Sequence, residues 1–315
     1  MNANSAPNPE AGARLVRVHK AAGYDFLKLH PGLSRATYDA VVTTAREVGI
    51  TYGGHVSADV GIRHALAARQ STIDHLDGYL EGATAGASGN LGLTGAAVRA
   101  LGAADTVTLR ALAEATRAAD VWVVPTMYLW DNFFAAGAPD AMVSLPEMRY
   151  VPRSMRAGWV NQKKQFNEGN DAVRLTPVES ERFSERRRVM LRELARAGNR
   201  VLMGTDSPQM FNVPGFALHH EITVMAAAGM TPFQVLESGT RNVSRYVERE
   251  LKGDARFGTV AVGQRADLVL LTANPLSSLA HLEQRVGVMV RGRWVPAEEI
   301  RRGLEAMAAR NAGAP

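Results

Sequence analysis

The 315-residue chain contains no cysteine, which excludes disulfides, thiolate nucleophiles and thiolate metal sites. No apolar run approaches the ~20 residues that span a bilayer, and no signal peptide opens the chain, so no membrane partner is expected. Phosphate-binding patterns are missing too. Gly86, Gly89, Gly92 and Gly95 form a glycine-rich run, but without a preceding strand or a GxGxxG or GK[ST] pattern it reads as a flexible loop. Gly-x-Ser-x-Gly is absent, which removes the nucleophile elbow, and His220-Glu221 lacks the second histidine of HExxH. Basic residues outnumber acidic ones, 36 to 31, for a net charge of +5. The excess lies in clusters such as Arg186 to Arg188, Arg291 with Arg293, and Arg301 with Arg302. No aromatic residues interleave with these arginines, so they read as solvated helix faces rather than a nucleic-acid surface.

What the sequence does contain is a set of short apolar runs, each with a chemically capable residue at or near its end. Residues 24–29 (YDFLKL) carry Lys28, whose charge inside such a run must be removed or paired. Residues 50–56 (ITYGGHV) place two glycines before His55, as expected where backbone bends or packs closely beneath a site. Residues 71–76 (STIDHL) carry His75, and 201–206 (VLMGTD) end on Asp206. A further strand is expected over 121–127 (VWVVPTM). Between the runs, apolar residues at Tyr38, Val41, Val42, Ala45 and Val48 mark one helix face over 35–48, and Gly49 supplies the stop. Helices are expected over 58–69, 107–119 and 181–197, and one begins at Thr231-Pro232. The alternation is βαβα, hence a parallel sheet or barrel. Side chains at the C-terminal ends of barrel strands converge on one point.

Eight stretches carry a family resemblance: AAGYDFLKLH (21–30), GGHV (53–56), IDHLDG (73–78), VVPTM (123–127), GTDS (204–207), PGFALHHEI (214–222), AGMTPFQVLESGTRNVSRYV (228–247) and FGTVAVGQRADLVLLTANPL (257–276). In these the chain resembles the amidohydrolase superfamily, in its imidazolonepropionase-like and prolidase-like branch. The resemblance implies an α/β fold of the (β/α)8 TIM-barrel type with a small β-sandwich. It also implies a carboxylated Lys28 bridging two divalent metals, His55 and His75 on the second metal, and Asp206 on the first, where it handles the proton.

One family feature is missing. The first-strand His-x-His pair that holds the first metal is absent, since none of the eight histidines are two apart. The chain opens at what would be the helix before strand four. It therefore reads as an amidohydrolase truncated at its N-terminus, with barrel strands four to eight and the C-terminal part of the sandwich. Residues 1–9 are expected to be a disordered tail, 10–247 the incomplete barrel, 248–297 the sandwich portion and 298–315 a terminal helix and tail. Two stretches, 81–104 and 128–177, are expected as long loops beside the site. The second, with Trp130, Phe133, Phe134, Trp159 and Phe166, is the expected substrate cover.

His30 and Ser57 lie two residues beyond Lys28 and His55, on the same strand face if the strands continue, and join Tyr128 and His219 as candidate substrate contacts. His19, His64 and His281 are expected at the surface. The implied reaction is hydrolysis of an amide-like C–N bond in a small molecule: a cyclic amide, an N-acyl amino acid or a dipeptide. Nitrogen and oxygen donors make zinc the default ion, though manganese, cobalt or iron would fit the same ligands; one or two ions are expected, and the missing pair would leave a single-metal site. The rival reading is a non-catalytic remnant with a weak or absent metal site and a structural or assembly role. Homo-oligomerisation is left open, and the cytoplasm is the default compartment.

Overall fold

In the computed structural model, which describes residues 1–2, 4–86, 94–168 and 173–313, five short strands form a parallel sheet in chain order. These are β1 (Phe26–Leu29), β2 (Thr51–Gly54), β3 (Thr72–Asp74), β4 (Trp122–Val124) and β5 (Arg200–Val201). Lys28 pairs with Gly53, Gly54 with Ile73, Asp74 with Val124, and Val123 with Val201. Every strand is shorter than its apolar run. For β3 and β4 the reason is local: His75 and Thr126, just beyond their ends, adopt φ of 63° and 42°, a left-handed conformation that does not continue a ladder. Of the chemically capable residues, Lys28 lies within β1, and His55, His75 and Asp206 lie beyond the ends of their strands.

Helices connect the strands. First come α1 (Pro9–Ala21) and α2 (Arg35–Val48), then α3 (Ile62–Ala67), α4 (Tyr79–Gly82), α5 (Gly95–Leu101) and α6 (Thr106–Ala119). Helix α2 has the bounds its periodicity predicts: Ser34 caps its start, Gly49 at φ 65° ends it, and Tyr38, Val41, Val42 and Ala45 are buried. The helix expected over 58–69 shrinks to α3 because Gly61, at φ 69°, interrupts it. Of the glycine-rich run, Gly86 and Gly95 are described, whereas Gly89 and Gly92 lie outside the described residues.

The stretch 128–177, expected as a loop, is largely helical where described: α7 (Met127–Phe134), α8 (Pro139–Val143), a 3-10 turn and α9 (Arg153–Glu168). Its aromatics make the difference. Trp130 and Phe134 stack at 5.5 Å, and Phe134 meets Phe183 edge-on at 4.7 Å, joining the segment to the main core. Helix α10 (Pro177–Arg196) follows behind a Thr176/Glu179 capping box and buries Phe183, Arg187, Met190, Leu191 and Leu194. Next are α11 (Phe216–Ala227), α12 (Pro232–Ser238), opened by Thr231 and Gln234 in a second capping box, and α13 (Arg241–Tyr246). An antiparallel sheet, β6 (Leu268–Leu271), β7 (Arg285–Val290) and β8 (Arg293–Pro296), precedes α14 (Ala297–Gly313). Among the described residues no helix is long and apolar enough to cross a membrane.

The two outer strands of the parallel sheet are both met by other backbone or side chains. On β1, the Met1 amine donates to Lys28 O at 2.6 Å and Met1 O accepts from His30 N at 2.8 Å, while Ala6 is buried. Within the expected tail, Met1 thus meets the open edge of β1, which offers partners to whatever backbone reaches it, while Asn2, Asn4, Ser5, Pro7 and Asn8 are exposed. On β5, Asn242 donates to Val201 O, and Met203 N donates to Ser238 O.

Gly54 sits at φ 120°, and a methyl group there would stand 2.5 Å from Leu29 O and 3.0 Å from Leu29 N. Gly54→Ala should therefore destabilise the protein by more than about 1 kcal/mol and disturb the strand that carries His55, measured by urea unfolding. An unchanged midpoint would show that the β1–β2 contact is not as tight as this.

Candidate active site

The strand ends bring three imidazoles into a row. His30 and His55 have ring centroids 5.3 Å apart, His55 and His75 4.3 Å, and Trp130 lies edge-on to His75 at 6.2 Å. His75 is almost completely buried. Its Nδ1 is 2.7 Å from Thr126 Oγ1, and its Nε2 has no hydrogen-bond partner and stands 3.8 Å from Asp206 Oδ2. The Nδ1 of His55 lies 2.7 Å from Asp77 Oδ2. Both rings are held through Nδ1, which leaves Nε2 to act, as in histidines oriented by an outer partner. Burial, reinforced by His55 and Lys28, drives the His75 pKa down to about 2, so the ring is neutral. Burial also lowers that of His30, with His55 next in effect.

Lys28 forms an ion pair with Asp74, answering the need of its charge for a partner. Asp206 is partly exposed, and its Oδ2 accepts from Gln209 Nε2 at 2.7 Å. The structure thus groups Lys28, His30, His55, His75 and Asp206. The other three candidate contacts are engaged elsewhere. Ser57 is buried and accepts from Leu33 N; Tyr128 stacks on His220; His219 faces Arg285 of β7 at 3.1 Å.

Several residues not singled out by sequence reasoning hold this arrangement. Asp74 and Asp77 flank His75 within IDHLDG, and Thr126 lies within VVPTM. Arg187, at the middle of the arginine run, is not on a solvated face but buried, and donates to His75 O at 2.7 Å and Pro125 O at 3.0 Å. It ties the end of β3 to the end of β4. Burial lowers its pKa to about 10, while Asp131, Asp77, Glu221 and Glu81 oppose that shift. Glu221 accepts from Met127 N and Tyr128 N, fixing the start of α7 and so the turn that carries Thr126. The signal for Arg187 was present, since it lies four residues from Phe183 and from Leu191 on one helix face.

The donor chemistry can be tested against a divalent cation. Two imidazoles held through Nδ1, the inner one neutral and with its Nε2 unpartnered, and one nearby carboxylate fit a nitrogen- and oxygen-binding ion. Lys28, paired with Asp74, does not fit the part of an anionic bridge until that pair opens. Among the described residues no group of three or more His, Asp or Glu stands close enough to form a ready-made cage.

The amidohydrolase family model matches residues 27–295. No curated protein matches by sequence. Solved structures do match. Bottromycin amidohydrolase aligns with TM-score 0.68 and 25% identity over 97% of this chain and 63% of that one. A putative prolidase from Bifidobacterium longum aligns with TM-score 0.59 and 20% identity over 97% and 64%, and A. niger ochratoxinase with 0.56 and 16% over 91% and 54%. The chain spans less than two thirds of the length of each of these structures.

Two outcomes are expected. Arg187→Met should cost about 3–5 kcal/mol, because it strands buried acceptors and carboxyl groups; a change below 1 kcal/mol in chemical denaturation would refute the bridging role. The second concerns acid. An unfolded His75 takes up a proton below its ordinary pKa of 6.5 while the folded one does not, so stability is full above that value and falls as pH drops. Between pH 7 and pH 5 this group should remove about 2 kcal/mol, a slope that His75→Gln should lack in the same titration.

Proposed function

The chain belongs to the amidohydrolase family, and from that premise we propose that it hydrolyses amide-like C–N bonds with a divalent metal at the His55–His75 pair. The observation that carries this reading is the pair of neighbouring imidazoles, each oriented through Nδ1, with Asp206 3.8 Å from the bare Nε2 of His75. The same reading takes the five parallel strands as part of a (β/α)8 barrel and the three-stranded sheet as part of a β-sandwich.

A divalent ion, zinc by the donor set, supplies Lewis acidity when bound, polarising an amide carbonyl and easing deprotonation of water. His55 and His75 would hold it through Nε2. Asp206, partly exposed at the strand end, takes the proton of the attacking water and passes it to the departing nitrogen as the C–N bond breaks. Thr126 and Asp77 keep the two rings in the tautomer this requires. Lys28, if its amine took up carbon dioxide to become a carbamate, would give up its pair with Asp74 and could add an oxygen donor to the two imidazoles. Substrates of the family type are cyclic amides, N-acyl amino acids and dipeptides.

His55→Ala and His75→Ala should each lower bound zinc, read by elemental analysis after equilibration with the ion. Asp206→Asn should keep the metal but lower kcat for amide hydrolysis by about 10²–10⁴. Full metal content in both histidine variants would remove the assignment of the site, and an unchanged kcat in Asp206→Asn would remove the proton-transfer role.

A further inference from the structure

Beside the imidazole row lies a cavity of about 380 Å³, within the range of small-molecule sites. His55 and His75 form part of its wall, so a molecule seated there lies against the candidate ligands. Ile62, Leu80, Val98, Leu101, Phe134 and Phe183 supply apolar surface from five helices. Pro31 and Ala58 are exposed and form the rim.

Arg187 also lines the cavity and at first suggests a seat for a carboxylate. The geometry argues otherwise. Its two Nη atoms are committed to His75 O and Pro125 O, and four acidic groups surround it: Asp77, Glu81, Asp131 and Glu221. Two of these, Asp77 and Glu81, face the same cavity. An anion entering would meet two acidic side chains for one guanidinium already engaged. A cation would be drawn toward carboxyl groups but would have to shed its water against an apolar wall. A neutral hydrocarbon group meets neither cost.

Resting on the hydrolytic reading above, we propose that this cavity is the specificity pocket and takes an uncharged branched or aromatic group next to the scissile amide. The preferred substrates are then amides of bulky apolar residues rather than molecules that place a free carboxylate or amine there.

Calorimetric titration of the zinc-loaded Asp206→Asn variant, in which cleavage is slowed, with N-acetyl-phenylalaninamide, N-acetyl-glycinamide and N-acetyl-aspartamide tests binding to the pocket, and the unsubstituted chain is assayed separately for cleavage of the same amides. The phenylalanine compound should bind about ten- to a hundredfold more tightly than the glycine compound, from burial of the ring, and the aspartate compound no better than glycine. Ala58→Trp, at an exposed rim position, should reduce the phenylalanine preference at least tenfold while leaving the cooperative unfolding transition in place. Leu101→Phe, which fills the cavity from within, should act the same way. Equal binding of the three compounds, tighter binding of the aspartate compound, or an unaltered preference in both variants would overturn the proposal. Because binding is measured, a selective pocket in a chain that cleaves none of the amides would sink the hydrolytic reading alone, and cleavage without selectivity would sink the pocket alone.

Discussion

A guanidinium taken out of water must be met by acceptors and negative charge on several sides, and meeting Arg187 organises the centre of this fold. Its bonds to His75 O and Pro125 O clamp two adjacent strand ends. One of those ends carries an imidazole in a left-handed backbone conformation, and the other carries the threonine that orients it. Glu221, one of the acidic residues compensating Arg187, also anchors the start of α7. Charge compensation and placement of the site are therefore one network. A parallel sheet alone would bring strand ends together without fixing their side chains.

The same network sets the character of the imidazole row. Three neighbouring rings cannot all carry charge, and the burial of His75 keeps the innermost one neutral. Toward solvent the row runs out through His55 to the exposed His30, with Asp206 on its flank. The result is a gradient from an apolar, enclosed interior to a polar mouth. Residues with backbone angles unusual for their type collect here, at His75, Thr126 and Asp206, where surrounding bonds hold them in place.

Much of this was legible in the residues. Helix α2, its glycine stop and the Thr231-Pro232 start follow from local chemistry that tertiary packing does not override. Lys28, His55, His75 and Asp206 could be found because each interrupts or ends an apolar run, and the structure groups them. What was not legible depended on partners distant in sequence. Arg187 in a run of three arginines looks solvated until the apolar face of α10 is traced through Phe183, Met190, Leu191 and Leu194. Lys28 needed a partner, but nothing local distinguished Asp74 from Asp25. The segment after β4 looked like a loop because its aromatics stack on one another and on α10, a core that no periodic pattern announces. Ser57 and His219 carried suitable groups in suitable places, yet backbone amides and Arg285 engage them first.

The neutrality of His75 reaches beyond folding. Protons and metal ions ordinarily compete for the same imidazole lone pair, so uptake of a cation by a histidine site weakens as the medium acidifies. At His75 burial keeps the ring neutral across the physiological range, so acid offers little competition there. A buried imidazole of this kind would serve as a constant anchor for a cation as the medium changes.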